Sequence, residues 1–366
     1  MKIQQIELKH LSIPLKKPFK TALRTVHSAE NTVILLHTDD GHTGYGEAPP
    51  TAVITGDTNE SVAGAITLMK TLLLGADLDF PDRITDSINR CCINNFSAKA
   101  AVDMAIYDLA AQNCGKPLYQ YLGGYRDSVE TDLTISLNEP GEMCEDALLA
   151  KEQGFRALKI KVGGDATEDL ERIAAIRKAV GSSVTLRLDA NQGWEPKEAV
   201  RLIRRLEDRG LDIELVEQPV KALDFKGMQF VTANVSTPIM ADESLFSPAD
   251  AVRLLEMRAA DILNIKLMKC GGIYNALKIN AIAESYGVEC MLGSMVESKI
   301  SLTAAAHLAA AKKNITRVDL DAAILLAEDP VQGGFEKQIP FFLPGDAPGL
   351  GIIGVHNLTD ISSFRR

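Results

Sequence analysis

A chain of 366 residues with a formal net charge of -10 and a pI near 5.2 can bury a large core, and it exceeds a single eight-stranded barrel by roughly 100 residues. Its acidity excludes nucleic acid and anionic membrane surfaces as partners, because both repel an acidic protein, and leaves a small molecule as the expected partner. The six cysteines (Cys91, Cys92, Cys114, Cys144, Cys270, Cys290) show no C-x-x-C spacing, which predicts reduced thiols in a cytoplasmic protein rather than zinc ligands or a disulfide framework. The start, Met1-Lys-Ile-Gln-Gln-Ile-Glu-Leu-Lys-His10, lacks a signal-peptide apolar run, and no 18-residue apolar run occurs, so neither export nor membrane insertion is expected.

Residues 2–15 and 31–38 alternate apolar and polar, which predicts two antiparallel strands joined by the loop Phe19-Lys-Thr-Ala-Leu-Arg-Thr-Val26. Asp39-Asp-Gly41 signals a turn and Thr43-Gly-Tyr-Gly-Glu-Ala48 a third strand. Helices are predicted near 59–73, 82–93 and 97–114, the last with Ala98, Ala101, Val102, Ala105, Ile106 and Leu109 at helical spacing. Gly115-Lys-Pro-Leu118 stops it. Residues 1–125 thus read as an α+β capping domain, a three-stranded meander followed by helices.

From Val129 the rhythm becomes strand, helix, strand. Strands are predicted near 130–136, 156–162, 184–190, 212–217, 237–242, 261–266, 288–293 and 315–319. Helices fall between them near 140–153, 167–180, 195–209, 224–233, 247–258, 272–286 and 298–312. Seven strand-helix units and an eighth strand specify an α/β fold, a (β/α)7β TIM-type barrel over residues 126–321. The Gly- and Pro-rich tail, 322–366, is expected to return to the capping domain.

Five of these strands end in a charge: Lys161, Asp189, Glu217, Asp242 and Lys266, at steps of 28, 28, 25 and 24 residues. Buried unpaired charges cost several kcal/mol, so their presence calls for a chemical purpose. Strand alternation sends Lys159 and Lys161 to the face opposite Leu158, Ile160 and Val162, hence into the barrel. Asp189, Glu217 and Asp242 end adjacent strands about 4.8 Å apart, and three such carboxylates need a cation. Ligation by oxygen alone suits Mg2+, with Mn2+ as a substitute. Lys161 and Lys266 end strands two and six, which face each other across an eight-stranded ring. This arrangement suits removal of a proton from one face of a carbon and its return to the other. Such a proton, next to a carboxylate, is very weakly acidic, and a divalent ion on that carboxylate stabilises the enolate as its charge develops. Lys159 stands roughly 7 Å from Lys161 along the strand. Their repulsion, about 2.4 kcal/mol at an effective dielectric near 20, is expected to favour the neutral amine that a base requires.

Lys159-Ile-Lys161, Asp189, Glu217, Asp242-Glu243 and Lys266 resemble the enolase superfamily, whose members pair a Lys or His base with Mg2+. A lysine on strand six, and the histidine-free run Leu292-Gly-Ser-Met-Val-Glu-Ser298 after strand seven, resemble its muconate-lactonising-type subgroup. Asp319-Leu-Asp321 is similar to the Asp-x-Asp motif of dipeptide epimerases, where the pair holds the substrate α-ammonium. The 20s loop resembles that of L-Ala-D/L-Glu epimerases, which implies that Arg24 receives the glutamate side-chain carboxylate. Thr134, Lys159 and Ser294 fall where the resemblance implies substrate contacts. The expectation is a Mg2+-dependent epimerase inverting the C-terminal α-carbon of a dipeptide, L-Ala-L-Glu above all. Lys161 and Lys266 are its expected bases and Asp189, Glu217 and Asp242 its expected metal ligands. A homo-oligomer is compatible with the sequence, and a role in murein-peptide metabolism is what the resemblance implies.

Other readings remain open from sequence: epimerases of hydrophobic or mixed dipeptides, o-succinylbenzoate synthase, muconate cycloisomerase, N-acylamino acid racemase, a Schiff-base aldolase, and a non-catalytic metal-dependent dipeptide-binding protein. Asp319 and Asp321 favour dipeptides, since a substrate without a free amine leaves an acidic pair nothing to bind. Gly163-Gly164 and Gly271-Gly272 look like pieces of phosphate loops, but turn chemistry after a barrel strand explains them.

Overall fold

The computed structural model describes residues 1–21 and 24–361; Ala22 and Leu23 of the expected 20s loop, and residues 362–366 of the tail, lie outside the described residues. Strands Ile3–Lys20 and Thr25–Thr38 form one long hairpin, so the expected loop at Phe19–Val26 is shorter than predicted. Phe19 pairs with Val26 and Lys20 with Thr25, after a register break that follows Pro14. The break has a covalent cause, since Pro14 and Pro18 have no N–H to give the ladder. Beyond it the arm leaves the capping sheet for the barrel rim: Ala327 N–H donates to Pro14 O (2.9 Å) and Leu137 N–H to Lys20 O (3.3 Å).

Strand Thr43–Ala48 completes the meander, and Thr359–Asp360 of the tail adds a fourth strand beside Ile3–Lys20. Helices Asn59–Leu73, Pro81–Cys91 and Phe96–Asn113 cover this sheet. The third lies so close that a Cβ on Gly44 or Gly46 would sit 2.4 Å from Ala105 O or 1.8 Å from Ala101 O. Gly46→Ala is therefore expected to cost about 3 kcal/mol. Gly64, inside helix Asn59–Leu73 with nothing within 4 Å of an added Cβ, is the contrast: Gly64→Ala is expected to stabilise by about 0.5–1 kcal/mol. Thermal unfolding of the two variants checks both signs.

The barrel strands are Leu133–Ile135, Ala157–Lys161, Thr185–Asp189, Ile213–Glu217, Ile239–Ala241, Ile262–Lys266, Glu289–Gly293 and Ile315–Asp319, parallel and in consecutive order. Asp132 N–H donates to Val318 O (3.2 Å) between the first and last. The first strand is shorter than expected because Val129–Glu130 pairs antiparallel with Phe341–Leu343 of the tail instead. Seven helices from Pro140–Glu152 to Lys299–Ala311 follow the first seven strands, and the short helix Leu267–Cys270 directly follows the sixth. The outward side chains Leu158, Ile160, Leu186, Leu188, Leu263 and Ile265 enter the main core, while Leu215, Met240, Ile262 and Met291 form an apolar plug of their own. Among the described residues no helix is long and apolar enough to cross a membrane.

Two buried carboxylates fix the capping domain on the barrel. Glu47 accepts from the backbone N–H groups of Ser298 (2.9 Å) and Ser301 (3.1 Å), at the start of helix Lys299–Ala311, and from Asn31 Nδ2 (2.6 Å). Asp103 accepts from Ile273 N–H and Tyr274 N–H at the start of helix Ile273–Ser285. An anion at a helix N-terminus meets unpaired N–H groups and the positive end of the dipole. The capping domain therefore sits at the C-terminal ends of the barrel strands.

Candidate active site

Strand register sets the centre of the mouth. Lys161 pairs with Asp189 and Asp189 with Glu217, placing the three on one rung. Lys266, Gly293 and Asp319 share another. Gly293 makes room there, since a Cβ on it would lie 2.9 Å from Lys266 Cε. Asp242 follows the last residue of strand five.

The predicted residues are brought together, all of them buried except the half-buried Arg24 and Ser294. Lys161 Nζ donates to Asp189 Oδ2 (2.6 Å) and Lys266 Nζ to Asp242 Oδ2 (2.8 Å). Lys159 Nζ lies among three carboxylates: Asp189 (3.0 Å), Glu217 (2.7 Å) and Asp319 (2.8 Å). Asp321 Oδ2 accepts from Thr134 N–H (2.6 Å), and Ser294 Oγ donates to Asp319 O (3.1 Å). Arg24 is half-buried at the rim, with Nη2 3.5 Å from Thr51 Oγ1. It lines the same cavity as Phe19, Lys161, Lys266, Ser294 and Asp321.

Electrostatics follow from this crowding. Burial opposes the charged form of Lys159, but Asp189, Asp319 and Glu217 outweigh it and hold its ammonium well above the usual lysine range. Lys266 is raised in the same way, chiefly by Asp242. At Lys266 the repulsion of the Lys159 ammonium is outweighed as well. Burial and Asp189 push Glu217 up to about 8, and burial and Asp242 push Glu243 up to about 7. Negative charge is in surplus at the mouth.

As they stand, the carboxylates are turned to lysines, and among the described residues no three acidic, His or Cys side chains enclose a point where an ion could sit. The donor set fits a hard cation nonetheless. Glu217 Oε2 and Asp242 Oδ1 are buried, in contact with an ammonium but without a properly angled hydrogen bond, and Asn191 Oδ1 and Glu243 Oε2 are buried without a partner. Such oxygens are costly in an interior. A divalent ion that accepts only oxygen ligands satisfies them and offsets the surplus charge.

Further residues of the site lie outside the strand ends. Lys269, fully buried one helical turn after Lys266, contacts Asp242 Oδ1 (2.5 Å) and donates to Asn264 O (3.1 Å). Asn264 Nδ2 in turn donates to Glu217 Oε1 (2.9 Å). The Lys266-Leu-Met-Lys269 spacing is the signal that could have found Lys269. Trp194 is buried, and its Nε1 reaches Asp169 Oδ2 (3.3 Å), which also accepts from Gly163 N–H (2.9 Å). This bridges the loops after strands two and three. Gly163, at φ +103°, has no space for a Cβ against Ala190 O, so the Gly163-Gly164 turn reading stands.

Residues 5–123 match the mandelate racemase/muconate lactonizing enzyme N-terminal domain and residues 142–353 the enolase C-terminal domain-like family. The chain is 56% identical over 357 residues to the L-Ala-D/L-Glu epimerase of Bacillus subtilis, covering 97% of each. It is 53% identical to the L-Ala-D/L-Glu epimerase of Clostridium acetobutylicum, covering 98% of this chain and 100% of that one. The solved substrate-liganded complex of the Bacillus subtilis epimerase superimposes with a TM-score of 0.96 at 55% identity, over 97% of this chain and 99% of that one. The Enterococcus faecalis dipeptide epimerase, solved with Mg and L-Leu-L-Tyr, gives 0.94 at 47% identity, over 96% and 99%.

Proposed function

The chain belongs to the mandelate racemase/muconate lactonizing enzyme family of the enolase superfamily, and from that premise we propose that it interconverts L-Ala-L-Glu and L-Ala-D-Glu by proton transfer between Lys161 and Lys266. It is a dipeptide epimerase, an isomerase, and Mg2+ is its metal. One observation carries the mechanism: two buried lysines on strands two and six of eight, each held on a member of a carboxylate row, at 2.6 and 2.8 Å.

In this reading Asp189, Glu217 and Asp242 hold the ion, and the substrate α-carboxylate is seated beside them. The bound ion supplies neutralisation of the charge that builds on that carboxylate as the α-proton leaves. The lysine on one face takes the proton and the lysine opposite delivers another, so the configuration inverts. The roles exchange with the epimer. Asp319 and Asp321 hold the α-ammonium; Lys159 keeps Asp319 below the usual carboxylate range despite its burial. Arg24 has a hydroxyl beside it and, among the described residues, no carboxylate partner, which leaves its guanidinium for a glutamate side chain.

All six cysteines are free thiols, which supports a cytoplasmic location. The apolar members of the cavity wall, Phe19, Val53, Ile54, Met295 and Val296, favour dipeptides with hydrophobic side chains as the second reading. A dipeptide panel incubated with enzyme and Mg2+ in D2O, scored by mass spectrometry for deuterium at the C-terminal α-carbon, separates the two. Uptake concentrated in Ala-Glu is expected; uptake spread over apolar or basic dipeptides would keep the chemistry and overturn the specificity. Arg24→Met should raise KM for Ala-Glu at least about tenfold, the worth of one charge-assisted hydrogen bond, and change Ala-Leu little.

A further inference from the structure

A second, larger depression lies beside the active-site cavity, beneath the proline-bent arm of the long hairpin. It encloses about 1150 Å³ to its open mouth, against about 620 Å³ for the active-site cavity. Its wall is mostly apolar and includes Leu15, Leu133, Ile135 and Leu149. The arm's lysines are turned to partners: Lys16 to Ile324 O (2.8 Å), Lys17 to Asp146 (3.0 Å) and Lys20 to Asn138 Oδ1 (2.8 Å). Three residues line both spaces, Phe19, Thr134 and Leu325. They are the partition between them.

The position of that partition gives it a consequence for the substrate. Asp321 is fastened to it through Thr134 N–H (2.6 Å), and helix Ala322–Leu325 begins directly after Asp321. A dipeptide whose ammonium sits on Asp319 and Asp321 carries its N-terminal side chain on the adjacent carbon, against this wall. Of the three partition residues, Phe19 lies over the Lys161 ammonium at 5.8 Å and Thr134 holds Asp321. Leu325 has neither task.

We propose that Leu325 is a specificity-determining residue that restricts the N-terminal residue of the substrate to a small side chain by closing the active site off from the apolar groove. The inference rests on the dipeptide reading and on Asp319 and Asp321 as the ammonium site. Leu325→Ala joins the two spaces and admits an apolar side chain such as that of leucine. The ratio of kcat/KM for L-Leu-L-Glu to that for L-Ala-L-Glu should then rise at least about tenfold, the discrimination that a few methylenes command in an apolar pocket. A ratio of two substrates on one enzyme does not depend on how much of the variant is folded. Ile54→Ala, which enlarges the active-site cavity on a wall the groove does not share, is the comparison.

A rise with Leu325→Ala and not with Ile54→Ala supports the assignment. An unchanged ratio with Leu325→Ala, or a rise confined to Ile54→Ala, overturns it. Failure of the parent enzyme to exchange the α-proton of any dipeptide would instead sink the reading beneath it, and this inference with it.

Discussion

A Lys266→Ala enzyme is expected to lose epimerisation by at least about a thousandfold while still exchanging the α-proton of one epimer, and only one, with solvent. General acid–base groups contribute about 10²–10⁴-fold, and here the missing group is the base assigned to its face. Lys161 keeps its place on Asp189 (2.6 Å), so it can still remove and replace a proton on its own side. Lys161→Ala should show the mirror image. Asp242 retains Lys269 when Lys266 is lost, so the fold is not left with an unpartnered buried charge at that point. NMR-monitored washout from each pure epimer reads the split. Equal loss from both epimers in both variants would show that the lysines do not divide the faces between them.

Removal of the divalent ion should be as damaging. Chelation is expected to abolish exchange from both epimers alike, and Mg2+ to restore it. Glu217→Gln should weaken Mg2+ binding, read by calorimetry, by at least about a hundredfold, since it removes one of three anionic ligands to a doubly charged ion. Burial and the neighbouring Asp189 push Glu217 up to about 8, so a neutral amide is tolerated there and the variant should fold. Asp319→Asn should bind Mg2+ within a few-fold of the parent and show its defect in KM. Chelator-insensitive exchange, or equal metal affinities in the two variants, would contradict the assignment of the carboxylate row.

Much of this architecture is legible in the sequence because parallel barrel strands repeat one simple pattern. Apolar residues at alternate positions face the helices, and a charge at the C-terminal end faces the mouth, as Leu158-Lys-Ile-Lys161 and Leu186-Arg-Leu-Asp189 show. What escapes is set by contacts distant in sequence. Val129–Glu130 leaves the barrel because Phe341–Leu343 of the tail pairs with it. The hairpin runs past the expected loop because its two prolines move the register without ending the pairing. Lys269 is invisible to strand alternation because it sits on the helical turn Leu267–Cys270. The charge state of the lysines is likewise a property of the whole cluster. The three carboxylates that drive the Lys159 ammonium upward come from three different strands. The partition formed by Phe19, Thr134 and Leu325 draws on three separate segments and has no local signature.

The two opposed lysines are the centre of the account, and the fate of the substrate's own α-hydrogen tests them most directly. L-Ala-L-Glu is incubated in D2O with enzyme and Mg2+, and the first few per cent of L-Ala-D-Glu formed is examined by mass spectrometry. Two bases on opposite faces predict that this early product carries deuterium at the α-carbon in every molecule, because the lysine that delivers the proton is not the one that removed it. Product that retains the substrate's hydrogen would mean that one group serves both faces, and would contradict the two-lysine mechanism.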